Sequence, residues 1–257
     1  MLLKTTALIF GIVLLITLTV FIVIYIKYKF LLSIKAKTIH LQKPVLLANN
    51  TTQRNSVANN PTLQNLILQE AVLRQTAYKN TSIKTADYFF DDSDMTTDYF
   101  LILIYHKKTN TPLLSARYYF NKTIIAKCLK GDEDKPPILD LNKYTDKQLF
   151  LIDRMSANNH SSLYRHHRNY IHLLFYEQLY IHNKTCQFIA MARKQKFEKL
   201  LTKYIRLGLN IIGTTKHMGK EHWVLLGDNK KNYTNTKKIT LVNMLLLTKS
   251  FFLKFKR

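Results

Sequence analysis

At 257 residues, 47% of them hydrophobic, the chain has room for one domain of ordinary size with a real core and for one membrane span. Its 39 Lys and Arg against 16 Asp and Glu give a net charge of +23, which excludes a balanced surface and favours an acidic partner: nucleic acid, anionic lipid or an acidic protein. Two cysteines, Cys128 and Cys186, are too few for a disulfide framework and are read as reduced and structural, a single bridge being the alternative.

Residues 5–26 carry no charge and are almost wholly apolar. As a helix they would span roughly 33 Å, the thickness of a bilayer core. Lys4 precedes them; Lys27, Lys29, Lys35 and Lys37 follow, so the heavier positive flank places the rest of the chain in the cytoplasm. The apolar run is too long for a usual signal-peptide core and no small-x-small cleavage site follows it, so an uncleaved single-pass anchor is expected.

The domain follows. Residues 38–48 read as a strand weakened by Pro44, and 49–61 as a polar loop. Asn60-Pro61-Thr62 is a helix start, and 63–78 carry apolar residues at helical spacing. Residues 85–98 are irregular and acidic, with Asp87, Asp91, Asp92, Asp94 and Asp98. Residues 99–105 and 113–120 read as a strand hairpin closed by Lys-Lys-Thr-Asn-Thr-Pro. Residues 124–128 are ambiguous, 131–137 a loop, 149–155 a strand and 170–182 an aromatic-rich helix. A compact strand-helix-strand unit comes next. It has a strand at 186–191 and a helix at 194–206 with Phe197, Leu200, Leu201, Tyr204 and Ile205 on one face. Gly208 sits where a positive φ closes that helix, and two strands follow at 209–213 and 221–226. The tail from Lys237 is basic, lacks acids and is apolar. It reads equally as a helix on a membrane surface or as a last helix packed on the domain. The chain thus divides into an anchor with its basic flank (1–36), one domain (37–230) and a tail (231–257).

Adjacent His166 and His167 lack a Cys or acidic cluster at ligand spacing, so no metal site is expected. No aromatic-rich basic strand or nucleic-acid module accompanies the charge, so nucleic acid is not the expected partner. The Asn-x-Ser/Thr matches are those an Asn-rich chain carries by chance.

The order of elements resembles the GNAT fold, and within it the N-acyltransferases that include acyl-homoserine-lactone synthases and N-acyl amino acid synthases. Three pieces carry the resemblance over roughly residues 60–228. The first is Val72-Leu73-Arg74 on the early helix with the acidic segment and hairpin at 87–120. The second is Leu-Phe-Leu-Ile-Asp-Arg-Met-Ser-Ala-Asn-Asn at 149–159. The third is Tyr204-Ile205-Arg206-Leu207-Gly208-Leu209, similar to a helix end and turn common among GNATs. The resemblance implies an α/β (α+β) fold with a GNAT-like mixed central sheet flanked by helices, preceded by the transmembrane helix. If the splay between the strands at 149–155 and 186–191 is plugged by side chains, no acyl chain can enter.

Carried over by position, Asp91 and Asp94 match the paired acids of acyl-homoserine-lactone synthases. Arg117 and Arg154 match arginines of the hairpin's second strand and of the central strand, and Tyr204 matches the tyrosine that protonates a departing thiolate. The residue types suit attack of an amine on a thioester: a carboxylate to take the amine's proton, donors for the oxyanion, an acid for the thiolate. The chain also departs from the family. The family's glutamate is Leu151 here; Asp153, two positions on and on the same strand face, is the candidate substitute. The glycine-rich pyrophosphate loop is replaced by Ser-Ala-Asn-Asn-His-Ser-Ser-Leu-Tyr-Arg-His-His-Arg, whose Arg165, His166, His167 and Arg168 are candidates for a side-chain clamp on a phosphate. The expectation is a membrane-anchored N-acyltransferase with no permanently bound cofactor. It would use an acyl-ACP or acyl-CoA co-substrate, with an acidic acyl carrier protein and anionic lipid as partners and a small amine as acceptor. The alternative is a non-catalytic GNAT-like module that binds a partner at the membrane.

Overall fold

A computed structural model describes residues 32–41, 45–46, 52–53, 61–78, 98–131, 138–194, 201–217 and 219–254, with helical residues 11, 12, 14, 15, 17–19 and 22. Its centre is a seven-stranded sheet, in the order β1-β4-β5-β6-β7-β9-β8. The strands are β1 (Ile34–Leu41), β4 (Tyr99–His106), β5 (Thr111–Tyr119), β6 (Leu149–Ala157), β7 (Gln187–Arg193), β8 (Asn210–His217) and β9 (Lys220–Asp228). A separate two-stranded ribbon pairs β2 (Val45–Leu46) with β3 (Thr52–Gln53). Neighbours in the main sheet are antiparallel except β6 and β7, which run parallel. This is the mixed sheet that the resemblance implies.

The helices are α1 (Pro61–Tyr78), α2 (Lys122–Lys130), α3 (Ser162–His182), α4 (Leu201–Arg206) and α5 (Asn229–Lys254). Helices α1 and α2 cover one face of the sheet, and α3 with α5 the other. β4 is consequently apolar on both faces: Leu101, Ile102, Leu103 and Ile104 are all buried. On the α3 face, Tyr118, Phe150, Phe175 and Phe188 form the aromatic centre of the main core. On the opposite face, Ile125 and Leu129 of α2 pack against Leu149, Leu151 and Ile189.

Several boundaries differ from the sequence reading. β1 begins at Ile34 and stops at Leu41, before Pro44, because it pairs along its whole length with β4. The ambiguous stretch 124–128 is helical. The Asn121 side chain accepts the Ile124 N–H at its start, and Gly131 closes it at φ 64°. α3 begins at Ser162, with Ser161 as its cap, so the run Arg165–Arg168 is helical rather than a loop; a kink at His167 separates its first turns from the rest. α5 follows β9 directly, with the Asp228 carboxylate accepting the Lys231 N–H at 2.7 Å. The expected boundaries at 36/37 and 230/231 therefore fall inside β1 and α5.

Of the two readings of the tail, the early part of α5 is a helix packed on the domain. Thr240 is buried, and its hydroxyl donates to the Asn169 carbonyl of α3 at 3.4 Å. Side chains from residue 243 onward lie outside the description. Both cysteines are free thiols. Gly208 closes α4 at φ 89°, as its position in the sequence requires.

Gly131 is held in the left-handed region, and a Cβ there would meet the Thr215 hydroxyl and the Lys216 carbonyl of β8. Gly131→Ala is expected to destabilise the fold by about 2 kcal/mol or more, read as a lowered denaturation midpoint at unchanged slope.

Candidate functional site

The parallel ladder between β6 and β7 runs from Leu149↔Gln187 to Ile152↔Ala190, and no further pair joins them among the described residues. Each strand nevertheless continues in register with its outer neighbour. β6 pairs with β5 through Arg117↔Asp153, Ser115↔Ser156 and Leu114↔Ala157, and β7 pairs with β9 to Arg193↔His222. Between the first two of those β5–β6 pairs, β5 advances two residues while β6 advances three. β6 therefore carries the extra residue, a bulge within 154–155. A bulge bends its strand and raises its twist, which accounts for the divergence of β6 from β7 at this point. Past Ile152 and Ala190 the two central strands are no longer paired with each other.

On the α1 face lies a buried polar group. Arg117 is 1% exposed, and its guanidinium carbon sits 4.6 Å from the centre of the Tyr99 ring. Asp153, half-buried, is opposite Arg117 in the ladder. Its charge, after burial itself, helps push the Cys128 thiol up to about 12. The sheet register thus brings together two residues singled out from the sequence, Arg117 and Asp153. Leu151, two residues before Asp153 on the same face, is wholly buried in the apolar cluster under α2.

Glu70 and Arg74 of α1 complete this group and were not expected as site residues. Arg74 Nε lies 2.8 Å from Glu70 Oε1, with both side chains nearly inaccessible. Ser115 Oγ donates to the same carboxylate at 3.1 Å. The sequence signal existed: Glu70 and Arg74 are the only acid and the only base in α1, four residues apart among apolar neighbours.

On the α3 face, Tyr204 of α4 packs against the core that contains Ile152 and Ala190, the last pair before the divergence. Burial raises the Tyr204 phenol, opposed by the nearby Arg168 charge. Burial and then Arg168 lower the Lys203 ammonium. Burial, then Lys203 and Arg168, push His172 down to about 3, so it is neutral near pH 7. The Tyr164 hydroxyl lies 3.2 Å from His172 Nε2, and a neutral imidazole can accept from it there. Past the kink, Arg168, His172 and Tyr176 follow at intervals of four on α3 and lie near Lys203 or Tyr204 of α4.

The four candidate phosphate ligands do not converge. Arg168 belongs with Lys203 and Tyr204. His166 and His167 line a separate recess of about 500 Å³ with His106, Thr111 and Leu113 of the β4–β5 hairpin. Arg165 is exposed. Asp91 and Asp94 lie outside the described residues, as does the side chain of Arg154, whose backbone forms part of the β6 bulge. No cluster of His, Cys, Asp and Glu suited to a metal occurs among the described residues.

No protein-family model matches the chain, and no curated protein is similar to it in sequence. Solved structures do resemble it. The acyl-homoserine-lactone synthase LasI is 13% identical, covering 76% of this chain and 90% of its own, with a TM-score of 0.46. The CoA-dependent acyl-homoserine lactone synthase BjaI, solved with SAM and isopentyl-CoA, is 11% identical over 80% of this chain and 90% of its own, at 0.49. ElaA of Escherichia coli is 12% identical over 76% of this chain and all of its own, at 0.43. These are likenesses of shape, and the roles considered below rest on this chain's own residues.

Removing one partner of a buried ion pair strands the other charge. Glu70→Ala is expected to cost roughly 3–5 kcal/mol of stability, and the double change Glu70→Leu with Arg74→Met much less, measured by urea denaturation. His172 generates a pH dependence. Its pKa in the fold, about 3, lies below its ordinary value of 6.5, so between those values the unfolded chain binds a proton that the folded chain does not. Stability therefore falls as pH drops from 6.5 toward 3. In His172→Gln this part of the acid limb should flatten.

Proposed function

We propose that the chain is an N-acyltransferase that moves an acyl group from a CoA or acyl carrier protein thioester to the amine of a small metabolite such as an amino acid. The observation that carries this reading is the divergence of β6 from β7 at the bulge, with an Arg-Asp pair on one face and a tyrosine beside two cations on the other. An extended amide-bearing arm, such as pantetheine, can add its hydrogen bonds to backbone edges that the sheet leaves open.

Chemical roles follow from the positions. Backbone N–H groups of β6 at the divergence are suited to hold the oxyanion of the tetrahedral intermediate. Asp153, directly or through one water, takes the proton from the attacking amine. Arg117, opposite it in the ladder, holds that carboxylate in place. Tyr204, kept protonated by burial, gives its proton to the departing thiolate. Arg168 and Lys203 repel one another, and a phosphate between them relieves that repulsion. The thioester is a co-substrate, not a bound cofactor. The excess of Lys and Arg suits an acidic carrier protein as donor.

We place the enzyme at a membrane, with residues 5–26 as a single-pass anchor and the domain in the cytoplasm. Among the described residues no helix is long and apolar enough to cross a membrane. Most of residues 5–26 lie outside the description. The support is that Ile12, Leu14, Leu15, Leu18 and Ile22 of this apolar helix are each at least half exposed. A second reading, a non-catalytic module of the same fold, is favoured by one observation: the position of the family's glutamate is filled by the buried Leu151.

The purified full chain, assayed with acyl carrier thioesters, acyl-CoAs and a pool of amino acids, is expected to form an N-acyl product. Tyr204→Phe and Asp153→Asn should each lower kcat roughly 10²-fold. Arg168→Gln with Lys203→Gln should mainly raise KM for the thioester. Absence of any transfer by a folded chain sinks the enzyme and leaves the non-catalytic module.

A further inference from the structure

The apolar helix does not reach the domain at an arbitrary place. The chain joins the sheet at Ile34, which pairs with His106 at the end of β4, and the Lys107 N–H donates to the Ser33 carbonyl at 2.7 Å. Leu32, just before, is 54% exposed. The β4–β5 turn that receives the chain is also one wall of the recess of about 500 Å³; the first turns of α3 form the other. The recess and the point of attachment therefore occupy the same end of the sheet.

That end is basic. Lys107 and Lys108 on the turn and Arg165 on α3 are exposed, and neither 99–131 nor 154–176 contains an acid. Inside the recess, Thr111 Oγ1 donates to Thr109 Oγ1 at 2.8 Å, and Thr109 Oγ1 lies 3.0 Å from His106 Nδ1. His166 Nδ1–H donates to the Ser162 carbonyl at 2.7 Å, which leaves Nε2 of the neutral ring as an acceptor, suited to a glycerol hydroxyl rather than to the phosphate. The floor includes the buried Leu113. Hydroxyls and imidazoles above an apolar floor, ringed by Lys and Arg, match a phosphodiester with glycerol carbons attached.

We infer that this recess is a docking site for the headgroup of an anionic phospholipid, and that it seats the domain against the bilayer in which residues 5–26 are anchored. The inference deepens the membrane reading above and rests on it. It does not compete with the thioester for cations, because Arg168 and Lys203 act toward α4, on another side of α3. It also gives part of the positive charge a task separate from carrier recognition. Lys and Arg side chains close to an anionic surface are each attracted to it.

The test uses the full chain reconstituted in phosphatidylcholine vesicles or in mixed phosphatidylcholine–phosphatidylglycerol vesicles, after an alkaline carbonate wash. Backbone hydrogen exchange is read at 106–111 and 160–167. Exchange there is expected to be about tenfold slower in the mixed vesicles. The slowing should disappear in Lys107→Glu/Lys108→Glu/Arg165→Glu, which leaves α1 and the aromatic core unchanged as a control for folding. Retention through the wash with equal exchange in both vesicles overturns the docking site alone. Equal slowing by inorganic phosphate in neutral vesicles assigns the recess to a soluble anion and overturns it too. Loss of the chain in the wash overturns the anchor and the docking together.

Discussion

One extra residue in β6 sets the character of this molecule. A parallel pair at the middle of a sheet would normally remain bonded along its length, covered by helices on both faces. Here the bulge at 154–155 shifts the register of β6 on β5 by one residue while the two stay paired, and β6 leaves β7 after Ile152. The fold tolerates the divergence because each strand keeps its outer partner. Past Ile152 and Ala190 the edges of β6 and β7 that face the gap are not paired with one another. A ligand that supplies amide hydrogen bonds is a natural completion of the sheet.

The two faces beside this gap are chemically different. On the α1 face, Glu70, Arg74 and Arg117 place charge where water scarcely reaches, and the half-buried Asp153 lies opposite Arg117 in the ladder. Such groups rarely serve stability, since an apolar replacement of similar shape is often as stable. On the α3 face, Tyr204 stays protonated and lies near Arg168, itself close to Lys203. A carboxylate on one side and a neutral phenol with a cation on the other suit a reaction that removes a proton from an amine and returns one to a thiolate.

Much of the architecture was legible because it rests on local signals. The Asn60-Pro61-Thr62 start, the hairpin around Lys107 and Lys108, and Gly208 after α4 each fix an element by backbone chemistry alone. The start of α3 was missed because Arg165 to Arg168 lacks apolar periodicity; its cap, Ser161, was the available cue. That error had a consequence for the site. Read as a loop, the four basic residues seemed one clamp; as a kinked helix they point to two places. The bulge was not legible, since it depends on pairing across β5. Glu70 was overlooked because a lone Glu on a helix is ordinarily solvated, and only the tertiary fold buries it against Ser115.

The central claim is that the gap between β6 and β7 carries acyl transfer to an amine. Mass spectrometry of lipid extracts from cells overproducing the full chain tests it most directly, because it presupposes neither donor nor acceptor. The account predicts an N-acyl amine species present with the native chain and missing with Tyr204→Phe. Extracts indistinguishable from those of control cells, with the chain abundant and folded, would contradict it.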